Sequence, residues 1–421
     1  MRTRTRWRAS SALWTMPFAM ALTLFYYAST ETYGNDYGYA PTLVVRPLNA
    51  AYALSYATVS ALGAWESGRL RRGGIWALAP ARSRFRVAAD ALLPVVALGW
   101  LMLLVPAGLS LAQGGAWPTP DSLPPLLLGL TLCCAHAVIG FAAGLRVPPV
   151  IAAPVMAVAV WLTVATSGTG ESSGRRHISG DFGTTPQFGE GATLESVVAP
   201  LLPTASLAVA VALLWVRVSR LPVRLVAAVA LVAACTLTAQ SMTRDWGYRA
   251  PMRHSLVAMR CAGTAPEVCM PEATVRDIEA VRAEVTAAVE DLAEIGLAPP
   301  PRLVTDSTSE GFAHLPSTAD TWHMGLTGAE RRGDVRYVVM WDAMDLPCRT
   351  GRAGDTRPAV LWLLTRMGIA EGYPESAEHV PETWRSVEEV RAMAEEALTL
   401  PPDEQLAWYH AQLDEACRTG P

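Results

Sequence analysis

The chain has 421 residues, 51% of them apolar, and a formal net charge of −4. All 34 basic residues are arginine, so no Gly-Lys-Ser/Thr phosphate loop exists, and if transport here uses ATP another polypeptide hydrolyses it. Residues 1–239 carry 17 Arg against 9 acids, whereas residues 240–421 carry 17 Arg against 29 acids, which reads as two bodies rather than one.

Apolar runs cover residues 11–28, 47–65, 91–111, 123–145, 147–166, 197–216 and 225–242. Most have the roughly 20 residues that cross about 30 Å of hydrocarbon as a helix. The last is diluted by Thr236, Thr238, Gln240 and Ser241. Arg2, Arg4, Arg6 and Arg8 before the first run also fit a cleaved leader, but that run is long for a leader core and six more follow, so it is read as an uncleaved anchor. With the amino terminus in the cytosol, the cytosolic loops hold 14 Arg and the opposite loops only Arg46, Arg175 and Arg176. That asymmetry predicts a multi-pass protein of the cell membrane with residues 1–242 as an α-helical domain of about seven spans and 243–421 as a soluble extracytoplasmic domain.

The first cytosolic loop between spans is an elbow over residues 66–86: Glu66, Ser67, Gly68, Arg69, Leu70, Arg71, Arg72, Gly73, Gly74, then Pro80, Ser83, Arg84 and Arg86. Glycines at 68, 73 and 74 let a chain turn sharply, and an amphipathic helix carrying Glu and Arg suits docking by paired, hydrogen-bonded charges. The bland alternative is a positive-inside anchor without a partner, against which an acid at the membrane edge argues. Within the spans Asn49, Asp90, His136 and Glu195 are polar, and none is assigned to transport.

In the tail, Thr274 is read as a cap with Asp277 in the first turn of a helix continued by Ile278, Val281, Val285, Ala288, Leu292 and Ile295, and ended by Gly296. Residues 303–305 and 335–341 read as strands, 358–367 as a buried helix, and 386–398 and 402–417 as two more helices, giving an α+β domain. Cys133, Cys134 and Cys235 lie in apolar runs, while Cys261, Cys269, Cys348 and Cys417 lie in the tail; the expected pairing is Cys261–Cys269 and Cys348–Cys417, with four reduced thiols as the alternative.

No His-Glu-x-x-His pair, no Gly-x-Ser-x-Gly elbow and no close Cys-x-x-Cys pair occurs, and His254, His314, His323, His379 and His410 are scattered. Neither catalysis, metal nor cofactor is expected from this.

The elbow, with acid, Arg, Gly, a short apolar stretch and then Pro-x-x-Ser-Arg, resembles the loop between the second and third spans of type-2 ABC exporter permeases. The resemblance extends to the order of parts over roughly residues 1–220: a basic amino-terminal segment, six spans and a longer outer segment between the fifth and sixth. The seventh run and the large tail depart from it. It implies a permease working as a homodimer or heterodimer, with a separate ABC ATPase docked at Glu66, Arg69, Arg71, Arg72, Gly73, Pro80, Ser83 and Arg84, and no nucleic-acid partner. A membrane sensor or immunity protein with an outer ligand-binding domain is the rival reading, and a tethered hydrolase a third.

Overall fold

Each of the seven apolar runs forms the body of a helix in the computed structural model, which describes residues 10–30, 38–76, 83–169, 173–216, 220–254, 257–296, 299–310, 315–345, 355–370, 373 and 385–419. The helices are α1 (Ser11–Thr30), α2 (Ala40–Arg72), α3 (Arg84–Gln113), α4 (Leu123–Arg146), α5 (Pro149–Ala165), α6 (Leu194–Leu213) and α7 (Leu221–Thr243). Their starts follow local chemistry: Pro stands in the first turn of α2, α4, α5 and α7, where its missing N–H costs nothing, and the hydroxyls of Ser83 and Thr193 accept from the Arg86 and Ser196 amides at the starts of α3 and α6.

By length and composition, four of these helices can cross a membrane: α3, α4 with the turn before it from Pro120, α6 and α7. At 17 residues α5 is apolar but shorter. The other two fall short for different reasons. Trp14, Pro17, Tyr26 and Tyr27 dilute α1. The central helix α2 packs against α1, α3, α4 and α5, so its sequence answers to neighbours rather than to lipid. Its buried face includes Tyr52, Ser55, Tyr56 and Ser60.

Contact between α2 and α4 is backbone to backbone. A Cβ at Gly140 would lie 2.0 Å from the Ser60 carbonyl oxygen, one at Gly144 would lie 2.1 Å from that of Ala64, and one at Gly63 would lie 2.5 Å from that of Ala137. Gly140 and Gly144 form a G-x-x-x-G pair on one face of α4, the small-residue device by which helices approach closely in lipid.

The chain divides into two compact units, Met1–Ser255 and Leu256–Pro421. Residues beyond 242, grouped with the tail by composition, return to the bundle as far as 254: β1 (Glu190–Ala192) pairs antiparallel with β2 (Met252–His254). Arg249 donates to buried Glu190 at 2.8 Å and to the Thr185 carbonyl at 3.2 Å, clamping the segment between α5 and α6. Burial alone would raise the Glu190 carboxyl, but hydrogen bonding and charge from Arg249 with the Gln187 amide hold it below its ordinary value. Nearby Asp181 goes the other way: burial pushes it up to about 6 against the opposing pull of Ser167 and Arg176.

The second unit carries a four-stranded sheet in the order β3 (Met259–Ala262), β4 (Glu267–Pro271), β5 (Leu303–Asp306) and β6 (Thr321–Met324). The first pair is antiparallel and the other two are parallel. Between β4 and β5 runs α8 (Ile278–Glu294), capped by Asp277, whose carboxylate accepts from the Glu279 and Ala280 amides; Thr274, expected as the cap, instead bonds the Pro271 carbonyl and the Thr327 hydroxyl. Then follow α9 (Leu326–Arg332), α10 (Val335–Asp342), α11 (Arg357–Arg366), α12 (Val387–Leu398) and α13 (Pro402–Thr419). The expected strand at 335–341 is thus a helix. Val335, Val339, Met340, Ala343 and Met344 are buried at three- and four-residue steps, whereas Tyr337 and Trp341, which a strand would put on the same face as Val335 and Val339, are only half-buried.

Cys261 and Cys269 face each other across β3 and β4 and form the expected disulfide, which excludes the alternative of four free thiols. Cys417 is also disulfide-bonded, and its expected partner Cys348 lies outside the described residues. The cluster of Cys261, Glu267 and Cys269 has both sulfurs engaged in the bridge and offers no thiolate pair to a metal.

Candidate functional site: the basic elbow

The elbow begins inside α2. This helix runs without interruption from Ala40 to Arg72, so the first half of the elbow is the end of the bundle's central helix. Gly74, at φ +64°, takes the left-handed turn that stops it, and the Gly73 amide closes back on the Arg69 carbonyl at 3.0 Å. Gly68 has another role: it is helical, and a Cβ there would meet the Pro149 ring at 2.5 Å, so it serves packing against α5 rather than turning. Pro80 lies outside the described residues, and Ser83 caps α3.

Glu66 does not face outward. It is fully buried, and one carboxylate oxygen accepts from both the backbone amide and the hydroxyl of Ser11 at 2.8 Å each. The other oxygen pairs with Arg69 at 2.7 Å. An acid at the first turn of α1 satisfies an amide that the helix itself leaves open, and it favours the positive end of the helix dipole. The acid that seemed out of place in a basic anchor is therefore a latch between α1 and α2.

What remains on the surface is arginine. Arg71 is exposed and donates to the Leu145 carbonyl at the end of α4 at 3.2 Å. Arg72 is exposed, with its guanidinium 5.6 Å from the Trp65 ring centroid. Arg84 belongs to a different grouping: with Arg146 at the end of α4, Arg224 in the first turn of α7, Trp76 and Trp215, it lines a cleft of about 350 Å³. A second cavity of about 300 Å³, lined by apolar and small residues of α3, α4 and α6 and by Trp215 just after α6, shares that Trp215 with the first. Arg224 donates to the Leu214 carbonyl at 2.9 Å and also to that of Val216, closing the end of α6.

Arg146 and Arg224 were counted in the sequence only as positive-inside charges, and nothing local marks them as neighbours of Arg84. Three of the polar residues within the spans, His136, Asn49 and Glu195, do not line either cavity. His136 stacks on Tyr56 at 4.9 Å, Asn49 donates to Thr185 at 3.4 Å, and Glu195 is exposed at the start of α6.

No curated protein and no solved structure matches the chain. Residues 268–417, which lie wholly in the sheet-bearing unit, match the model of a domain of unknown function, DUF7224.

Proposed function

We propose that the chain is the permease subunit of an ATP-driven exporter, with all seven bundle helices crossing the membrane, the elbow in the cytosol and residues 256–421 outside. The observation that carries this reading is the continuity of α2: its elbow end bears the exposed Arg71 and Arg72, and its body touches α1, α3, α4 and α5. A displacement imposed on that end is delivered to the middle of the bundle by a rigid rod about 50 Å long, at about 1.5 Å per residue. The partner is a separate ABC ATPase, which supplies the hydrolysis that a lysine-free chain lacks, and the permease pairs with a second permease chain.

The internal role of Glu66 narrows the docking surface to guanidinium groups and favours a second reading, in which the elbow is a basic anchor and the outer unit senses a ligand. Co-purification decides between them. Arg71→Glu with Arg72→Glu is expected to lose an ABC ATPase that wild-type protein retains, because unpairing a buried interfacial charge costs about 2–5 kcal/mol. Arg2→Glu with Arg4→Glu should keep it. Equal loss in both variants, or no ABC ATPase with wild type, removes the exporter reading in favour of the sensor.

A further inference from the structure

Three arginines from three different helix ends meet at one cleft, and no acid lines it among the described residues. Two buried donors on its walls, Trp76 Nε1 and Arg224 Nε, have no acceptor among the described residues. A native site rarely leaves such donors open, so the cleft is built for something rich in acceptors. Guanidinium groups present forked donors that match the paired oxygens of a phosphate. Beside it lies the second cavity, whose walls include Phe85, Leu92, Val138, Phe141 and Val211 and offer no charge. Both volumes fall within the usual range for small-molecule sites.

We propose that the elbow end of the bundle holds an anionic phospholipid, with its phosphate at Arg84, Arg146 and Arg224 and one acyl chain in the apolar cavity between α3, α4 and α6. A water-soluble anion would leave that cavity unused. A zwitterionic lipid would bring its own ammonium against three guanidiniums, so the site discriminates by headgroup charge. The arrangement removes Arg84 from the ATPase-facing set and gives it to the lipid. It rests on the membrane placement of the bundle and not on ATPase coupling.

The test uses the full-length protein, recovered from washed membranes and exchanged into mixed micelles of phosphatidylglycerol and phosphatidylcholine, with retained lipid counted by native mass spectrometry. Phosphatidylglycerol should be retained over phosphatidylcholine by about tenfold, and Arg84→Gln with Arg146→Gln and Arg224→Gln should abolish that preference. Ala88→Trp, which fills the apolar cavity and leaves all three arginines, should also lower retention. Thermal unfolding run beside each variant shows that the fold persists. Four outcomes overturn the proposal: equal retention of both lipids by wild type, the same loss from Arg2→Gln with Arg4→Gln, displacement of the lipid by millimolar inorganic phosphate, or unchanged retention in Ala88→Trp. A chain absent from the membrane fraction defeats the membrane reading itself, whereas a membrane-bound chain without lipid preference defeats this inference alone.

Discussion

In the bundle, α2 and α4 touch through glycine and carbonyl groups, whereas in residues 256–421 the elements are held apart by large rings. Trp322, Trp362 and Tyr409 are all but fully buried there, with Trp362 packed 4.9 Å from Tyr409. Glycine changes meaning between the two. At Gly140 and Gly144 it removes bulk from a contact, while at Gly296 and Gly333 nothing lies within 4 Å of a notional Cβ and the residue supplies only a left-handed helix stop. Lipid offers helices no hydrophobic drive toward each other, so closeness must come from shape; in water, aromatic area removed from solvent supplies the drive.

The largest effect should come from putting a side chain into the helix contact. Gly140→Leu sets new atoms against the Ser60 backbone, which no rotamer can relieve, and is expected to abolish recovery of monodisperse protein in detergent; Gly108→Leu, which meets nothing within 4 Å, should purify normally. If both variants behave alike, close packing does not hold the bundle. Next is Trp362→Ala, expected to destabilise the sheet-bearing unit by about 3–5 kcal/mol in a denaturant titration while leaving the bundle intact. Simultaneous loss of both units would dissolve the comparison.

Acid chemistry sharpens it further. Because the fold raises Asp181 from 3.8 to about 6, the folded state holds more protons over that interval, and stability of the first unit falls as pH rises through it. The expected decline is up to about 3 kcal/mol, measured by thermal unfolding against pH, and Asp181→Asn should flatten it. Glu190→Gln should act in the opposite sense, since the lowered Glu190 contributes stability that is lost on acidification. The smallest effect is in the second unit: the Cys261–Cys269 bridge closes an 8-residue separation and should contribute about 2.5 kcal/mol, read as the shift in denaturation midpoint on Cys261→Ala with Cys269→Ala.

The bundle was legible wherever a helix is continuously apolar over a spanning length. Runs 91–111, 123–145 and 225–242 sit inside helices long and apolar enough to cross a membrane. It was least legible at α2, which extends seven residues beyond its apolar run at each end, because a central helix is selected for its neighbours. In the tail, the helices at 357, 387 and 402 were readable from periodicity and from the capping box of Ser386 with Glu389. Val335–Asp342 misled because its Val, Tyr and Trp content suits a strand, while the burial spacing that decides the matter depends on what packs against it. Thr321–Met324 does alternate buried and half-buried residues, but four residues are too few to stand out. The arginine cleft had no local signal, since 62 residues separate Arg84 from Arg146 and 78 separate Arg146 from Arg224. The G-x-x-x-G pair at 140–144 was present in plain sequence and could have been read.

The Glu66 latch also orders events during synthesis. Helix α1 begins at Ser11, and the carboxylate that completes its opening turn is the 55th residue after it, near the far end of α2. Until that residue leaves the ribosome, the Ser11 amide and hydroxyl lack this carboxylate partner. The latch between α1 and α2 therefore closes only once nearly all of α2 has been made.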